Sequence, residues 1–216
     1  PKEVERLVNK IFQVPLRPTR EKVEPLAALP SPAHQVIHKP INQVHYALGV
    51  PAYGIRDPRK TTVMLLNNML GGIGMSSILN LSVREKYGIA YTIESSYAMY
   101  ADTGIFSIYL VTDEEKIERA ARLVRNELNK LVVKPITNRA LNKSKHKFKG
   151  QIALDEEIRM SVIIAETNNI FDYNALITLE DVFLKIDAVT TADLHEVAHD
   201  LFAEERMSSL SFAPED

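Results

Sequence analysis

The chain contains no cysteine. That single absence excludes disulfides, thiolate catalysis and cysteine-bound zinc together, and it leaves the redox compartment open. Neither sign of charge is in excess: 26 Lys and Arg stand against 28 Asp and Glu, a formal net charge of -2. Such a balance gives no global attraction to nucleic acid or to an anionic membrane. No apolar run approaches the roughly 20 residues needed to span a bilayer, so a soluble protein with no membrane span is expected, its compartment unknown. There is neither an initiator methionine nor a signal peptide. Because the opening PKEVERLV already lies inside a helical pattern, the sequence reads as a piece of something longer.

What is present is ordinary globular material. Apolar residues make up 45% and charged residues 25%, and 216 residues suffice for one large domain with a full core. Val4, Leu7, Ile11 and Phe12 recur at helical spacing. Pro15, Pro18, Pro25, Pro30 and Pro32 then mark an extended linker. The expected organisation is a tail over 1–12, a proline-rich linker over 13–34 and a domain over 35–216. Within that domain, Val44, Tyr46 and Leu48 alternate as in a strand, and TTVMLLNNML reads as a helix closed by Gly71-Gly72. MSSILNLSVREKYG reads as a second helix with a serine cap and a glycine stop. The stretches flanking ADTG predict a hairpin. Ile117, Val124, Leu128 and Leu131 share one face of a helix, a long helical region follows from Thr137, and MSSLSFAP closes the chain as a strand. Hairpins mixed with amphipathic helices predict an α+β fold: a mixed, largely antiparallel sheet with helices packed on one face.

Four stretches bear on chemistry. HEVAH, His195 to His199, spells H-E-x-x-H, two imidazoles one helical turn apart around Glu196. A catalytic zinc needs three protein ligands and an open position. Phe202 and Glu205 occupy the places of the metzincin glycine and histidine, and Glu204, Glu205 and Glu215 are the only glutamates that follow. Leu194, Val197, Ala198, Leu201 and Phe202 form a stripe with no need of the histidines. The match is therefore judged coincidental, with two solvated histidines as the favoured reading. GGIGMSS lacks the G-K-[ST] ending of a phosphate loop and is better read as a tight turn into a helix capped by Ser76 or Ser77. KSKHKFK, Lys143 to Lys149, is a solvated helix face in preference to a nucleic-acid patch. In REKYGIAY, Arg84 lies late on a helix and Tyr91 opens the next strand. A permanent cation and a phenol there can converge as donors to substrate carbonyls or an oxyanion, against the plainer reading of a surface arginine and a strand tyrosine.

NQVHYALGVPAYG, LLNNMLGG-GMSS, VREKYGIAY, ADTGIFSIYLVTD and DAVTTADLHEVAHDLF, in this order, resemble the C-terminal type of domain of the pitrilysin/insulinase/mitochondrial-processing-peptidase family. The resemblance runs from Gln43 to Ala213, with VREKYGIAY its most specific segment. It implies a wall of a peptide chamber, in a clamshell whose zinc is held by a homologous N-terminal domain or partner subunit through an inverted H-x-x-E-H motif. His34, His38, His45, His146, His195 and His199 provide no such motif, so the resemblance implies no metal or cofactor in this chain. It maps the family's substrate-binding and transition-state-stabilising pair onto Arg84 and Tyr91, and a structural helix onto HEVAH. Ile78 departs from it, standing where many relatives carry arginine. The function so implied is the C-terminal domain of a zinc metallopeptidase that binds peptide, inactive alone and part of a dimer. A non-catalytic scaffold or partner subunit of the same family is the alternative, and a self-contained H-E-x-x-H protease the third reading.

Overall fold

The computed structural model describes residues 2–11 and 31–215. The expected linker falls mostly outside them. Helix α1 spans Lys2–Ile11, and strand β1, His34–Lys39, begins one residue inside the stretch expected to be linker. Strand β2 (Val44–Ala52) and helix α2 (Lys60–Leu70) follow. Strands β3 (Thr92–Met99) and β4 (Gly104–Thr112) form the expected hairpin, closed where Tyr100 N–H donates to the Thr103 carbonyl at 2.8 Å. Helices α3 (Ile117–Val133), α4 (Asn138–Asp155), α5 (Arg159–Tyr173), α6 (Leu179–Ala188) and α7 (Thr191–Leu201) lead to strand β5 (Ser208–Pro214).

The five strands lie in the order β1-β5-β2-β4-β3, with β1 and β5 parallel and every other pair antiparallel. The α+β architecture is as the patterning predicts. Alternation along β2 buries Val44, Tyr46, Leu48 and Val50 beneath the helices, and Phe106, Ile108 and Leu110 of β4 join them. Thr92, Glu94 and Ser96 of β3 stay on the opposite, solvent-facing surface. Helix α7 packs against α2 and α3, and its Leu194, Val197, Ala198 and Leu201 are all buried. A capping box at its start joins Thr190 and Asp193 reciprocally.

Three local expectations are corrected. The long helical region breaks at residues 156–158 into α4 and α5. The helix after GGIG is π-wound over Asn80–Glu85 and has no serine side-chain cap, because the Ser77 hydroxyl accepts from Asn80 Nδ2 instead. The KSKHKFK face is only partly solvated. Lys145 is 8% exposed and donates to the Asp187 carbonyl at 2.8 Å, while Lys149 pairs with the Asp187 carboxylate at 2.7 Å. Asp187 lies in the last turn of α6, where carbonyls lack helical partners, so these lysines fasten that helix end.

Candidate functional site

Helix α2 meets strand β3 at unusually close range. The Gly71 carbonyl accepts from Ser95 N–H at 3.1 Å, and the Ser95 hydroxyl donates to Asn67 Oδ1 at 2.7 Å. A Cβ on Gly71 would lie 2.4 Å from the Ser95 nitrogen, and one on Gly72 2.6 Å from Asn68 Cα, so this approach requires glycine at both positions. Gly74, at φ +100, turns the chain back toward the π-wound helix. The result is a groove of about 660 Å³ between the GGIGM loop, the π-wound helix and β3. Its walls are mixed: Met64, Ile73, Met75 and Phe148 are apolar, while Asn67, Asn68, Asn80 and Arg84 are polar.

Arg84 therefore lines a groove. Its guanidinium lies 3.4 Å from Asn80 Oδ1 and 3.7 Å from Glu85 Oε1, and the side chain remains more than a third exposed. Asn80 in turn donates to the Ile93 carbonyl at 3.3 Å, which ties the arginine's support to the edge strand. The GGIG turn contributes main chain and the exposed Ile73 to this groove, and offers no lysine of the kind a phosphate loop carries.

Tyr91 sits elsewhere. It follows the turn at Gly88, which takes φ +62, and its N–H donates to the Val111 carbonyl at 2.9 Å. Its ring is 56% exposed and its hydroxyl donates to Asp113 Oδ1 at 2.8 Å. Asp113 is held by Lys116 from the other side, at 2.5 Å. The Lys116 ammonium first, and then the Tyr91 hydroxyl, hold the Asp113 carboxyl below the usual carboxylate range. The same contact pushes the Tyr91 hydroxyl up. Arg84 and Tyr91 have different hydrogen-bond partners here, and Tyr91 does not line the Arg84 groove. Asp113 was visible in the sequence as the last letter of ADTGIFSIYLVTD, with nothing there to mark it as the partner of Tyr91. Asn68 gave no sequence signal beyond its place in LLNNMLGG.

The HEVAH residues diverge. His195 is half-buried, and its Nε2 lies 2.8 Å from the carbonyl of Val132, in the last turn of α3. A carbonyl only accepts, so Nε2 carries the proton and is not a free ligand atom. His195 is thus only partly solvated and tied to α3, which corrects half of the expectation for this pair, while His199 and Glu196 are exposed. Glu196 borders a separate groove with Asp57, Arg59 and Lys185. Among the described residues no three His, Asp or Glu side chains converge on one point. The described residues do not assemble a ligand set that fits a zinc ion.

A second network closes the end of β2. Tyr53 donates to Asp200 Oδ2 at 2.5 Å, Arg206 pairs with the same carboxylate, and the Arg59 guanidinium stacks 3.8 Å above the Tyr53 ring. Every member has a partner, and the network joins β2, the entry to α2 and the end of α7.

Comparison with known proteins fits this picture. A sequence profile described as the peptidase M16 inactive domain matches residues 1–148. The chain is 30% identical over 167 residues to an uncharacterized zinc protease of Bacillus subtilis, covering 77% of this chain and 41% of the relative. It is 28% identical to an uncharacterized zinc protease of Streptomyces coelicolor, covering 82% and 38% respectively. The chain thus spans about two fifths of the length of these curated relatives. Among solved structures, the crystal structure of a peptidase M16 inactive domain from Pseudomonas fluorescens superposes with a TM-score of 0.82 at 25% identity, covering 94% of this chain and 48% of that one. A protease from Helicobacter pylori gives 0.78 at 22% identity, covering 99% and 52%, and supports the fold. No helix among the described residues is long and apolar enough to cross a membrane. The chain belongs to the peptidase M16 family of zinc proteases, as its inactive, C-terminal type of domain.

Proposed function

We propose that this domain forms one wall of a peptide chamber and supplies Arg84 and Tyr91 to a substrate held against a zinc centre in a homologous N-terminal domain or partner subunit. The observation that carries the reading is the placement of the two side chains. Arg84 faces an open groove on a supported guanidinium, and Tyr91 presents an exposed phenol. The arginine offers a permanent cation with several donors to a peptide's carbonyls. Tyrosine offers one neutral donor to the carbonyl at which negative charge develops. To donate there, the Tyr91 hydroxyl must turn away from Asp113.

A second observation supports a preceding domain of the same kind. Val4, Leu7, Val8 and Ile11 of α1 repeat the spacing of Leu194, Val197, Ala198 and Leu201 in α7. The α7 set is buried under its own sheet, while the α1 set is exposed throughout. On this reading helix α1 is the closing helix of an upstream domain, and the present domain begins with strand β1 at His34. Peptide hydrolysis is the test, measured for the zinc-bearing half with and without this chain. Hydrolysis that requires both, together with a raised KM on Arg84→Ala, supports the proposal. Full hydrolysis by the zinc-bearing half alone refutes it, and none from both together makes this chain a scaffold.

A further inference from the structure

Helix α5 is 15 residues long and buries none of them. A helix of that length in a folded domain owes most of its stability to a packed apolar face. Here the inward face borders a space instead. Helices α2, α4, α5 and α6 bound a cavity of about 310 Å³, walled by Met64, Phe148, Ile152, Val182 and Ile186, with Ala165 of α5 across from them. Protein interiors are filled to crystal-like density, and an empty apolar space forfeits the contacts its lining would otherwise make. The volume lies within the range of small-molecule sites.

The mouth of the cavity sets the chemistry of its occupant. A second, more polar cavity of about 620 Å³ adjoins the first, and Lys60, Tyr173 and Lys185 line both, so they stand at the junction. Lys60 donates to the Tyr173 hydroxyl, a neutral partner, and that hydroxyl donates to the Ile55 carbonyl at 2.9 Å. Neither Lys60 nor Lys185 enters an ion pair among the described residues. The neighbouring acids are engaged or set apart. Asp57 is held by Arg59 at 2.8 Å, and Asp193 caps α7. Glu196 borders the outer cavity and not the inner one. Asp172 is the acid on the inner wall, and Arg56 lies beside it, donating to its main-chain carbonyl at 3.3 Å. Two ammonium groups without a carboxylate, at the edge of an apolar space, suit an anion that carries an apolar tail.

We propose that this cavity binds a medium-chain fatty carboxylate, its tail between α2, α4, α5 and α6 and its head group against Lys60 and Lys185 at the mouth. The tail gives α5 the buried apolar contact that its own side chains do not make. The site is independent of Arg84, Tyr91 and any zinc centre. It shares a wall with the Arg84 groove, because Met64, Met99 and Phe148 line both spaces. Two of the three are methionines, whose flexible side chains adapt to an occupant.

The probe is dodecanoate, titrated into the chain below its micelle concentration and followed by methionine methyl NMR and calorimetry. The expected result is saturable shifts at Met64 and Met99. From octanoate to dodecanoate, affinity should rise about fourfold per methylene, the scale of burying one such group. Dodecanol, which has the tail without the charge, should bind more weakly. Lys60→Met and Lys185→Met should each weaken dodecanoate about two- to fivefold, the scale of a partly exposed ion pair, and leave dodecanol unchanged. Ala165→Phe, at an exposed position of α5 that borders the cavity, should fill it and abolish binding of both. Should that variant disturb α5, the tail-length series and the dodecanol comparison on the native chain still decide. Absence of saturation, affinity independent of tail length, equal binding of dodecanol, or binding by a folded Ala165→Phe chain overturns the proposal. Anionic phosphatidylglycerol vesicles separate a dissolved carboxylate from a lipid surface. Sedimentation of the chain with vesicles, without binding of dissolved dodecanoate, overturns it too.

Discussion

The Tyr91 hydroxyl donates to Asp113 Oδ1 across 2.8 Å, on a side chain otherwise open to solvent. That bond keeps the phenol protonated, because hydrogen bonding to the carboxylate and its negative charge both disfavour the phenolate. Asp113→Ala removes both effects, so Tyr91 is expected to ionise at lower pH. Ultraviolet titration of the variant, with Tyr91→Phe as the reference that identifies the signal, reads the shift directly. An unaltered Tyr91 titration would mean that the contact does not persist in solution.

Alkaline stability is expected to depend on Tyr97. Burial first, and then Asp57 and Tyr173, push its hydroxyl up to about 12. The folded chain holds this proton more tightly than the unfolded chain, whose phenol titrates near pH 10. The contribution is therefore complete below about pH 10 and disappears as pH rises toward about 12. Tyr53 is displaced in the same direction, by burial and by Asp200. Urea midpoints should fall through this window, and Tyr97→Phe should make the fall shallower. A flat profile in the native chain would contradict the assignment.

His195 is expected to matter for stability. Its bond to the Val132 carbonyl satisfies one acceptor at the end of α3, where the helix has no internal donor left. Loss of such a bond in His195→Ala should cost about 1 kcal/mol in urea denaturation. The exposed His199→Ala should change it little. Zinc measured on all three purified chains completes the test, and stoichiometric metal lost with His195 would restore the protease reading of HEVAH.

The periodic parts of the fold were legible because burial imposes period on sequence. Val44, Tyr46 and Leu48 alternate since one sheet face is covered, and the α7 stripe from Leu194 to Phe202 is buried as its spacing predicted. Features that depend on contact between distant segments were not legible. Nothing near Lys145 indicates that its ammonium will reach the end of α6, or that His195 will meet α3. The π winding over Asn80–Glu85 leaves the apolar pattern nearly helical, so the sequence reads as an ordinary helix. VREKYGIAY drew attention to Arg84 and Tyr91, but gave no sign that their hydrogen-bond partners would be separate.

The catalytic role proposed for this domain is tested most directly by kcat with Tyr91→Phe, measured in a protein that joins this domain to a zinc-bearing N-terminal domain. The substitution removes one hydroxyl from an exposed ring, so folding and metal content should be unchanged. Loss of an oxyanion-type donor is expected to lower kcat by about a hundred- to a thousandfold with little change in KM. A kcat equal to that of the native enzyme, in a variant shown to be folded and loaded with zinc, would contradict the account.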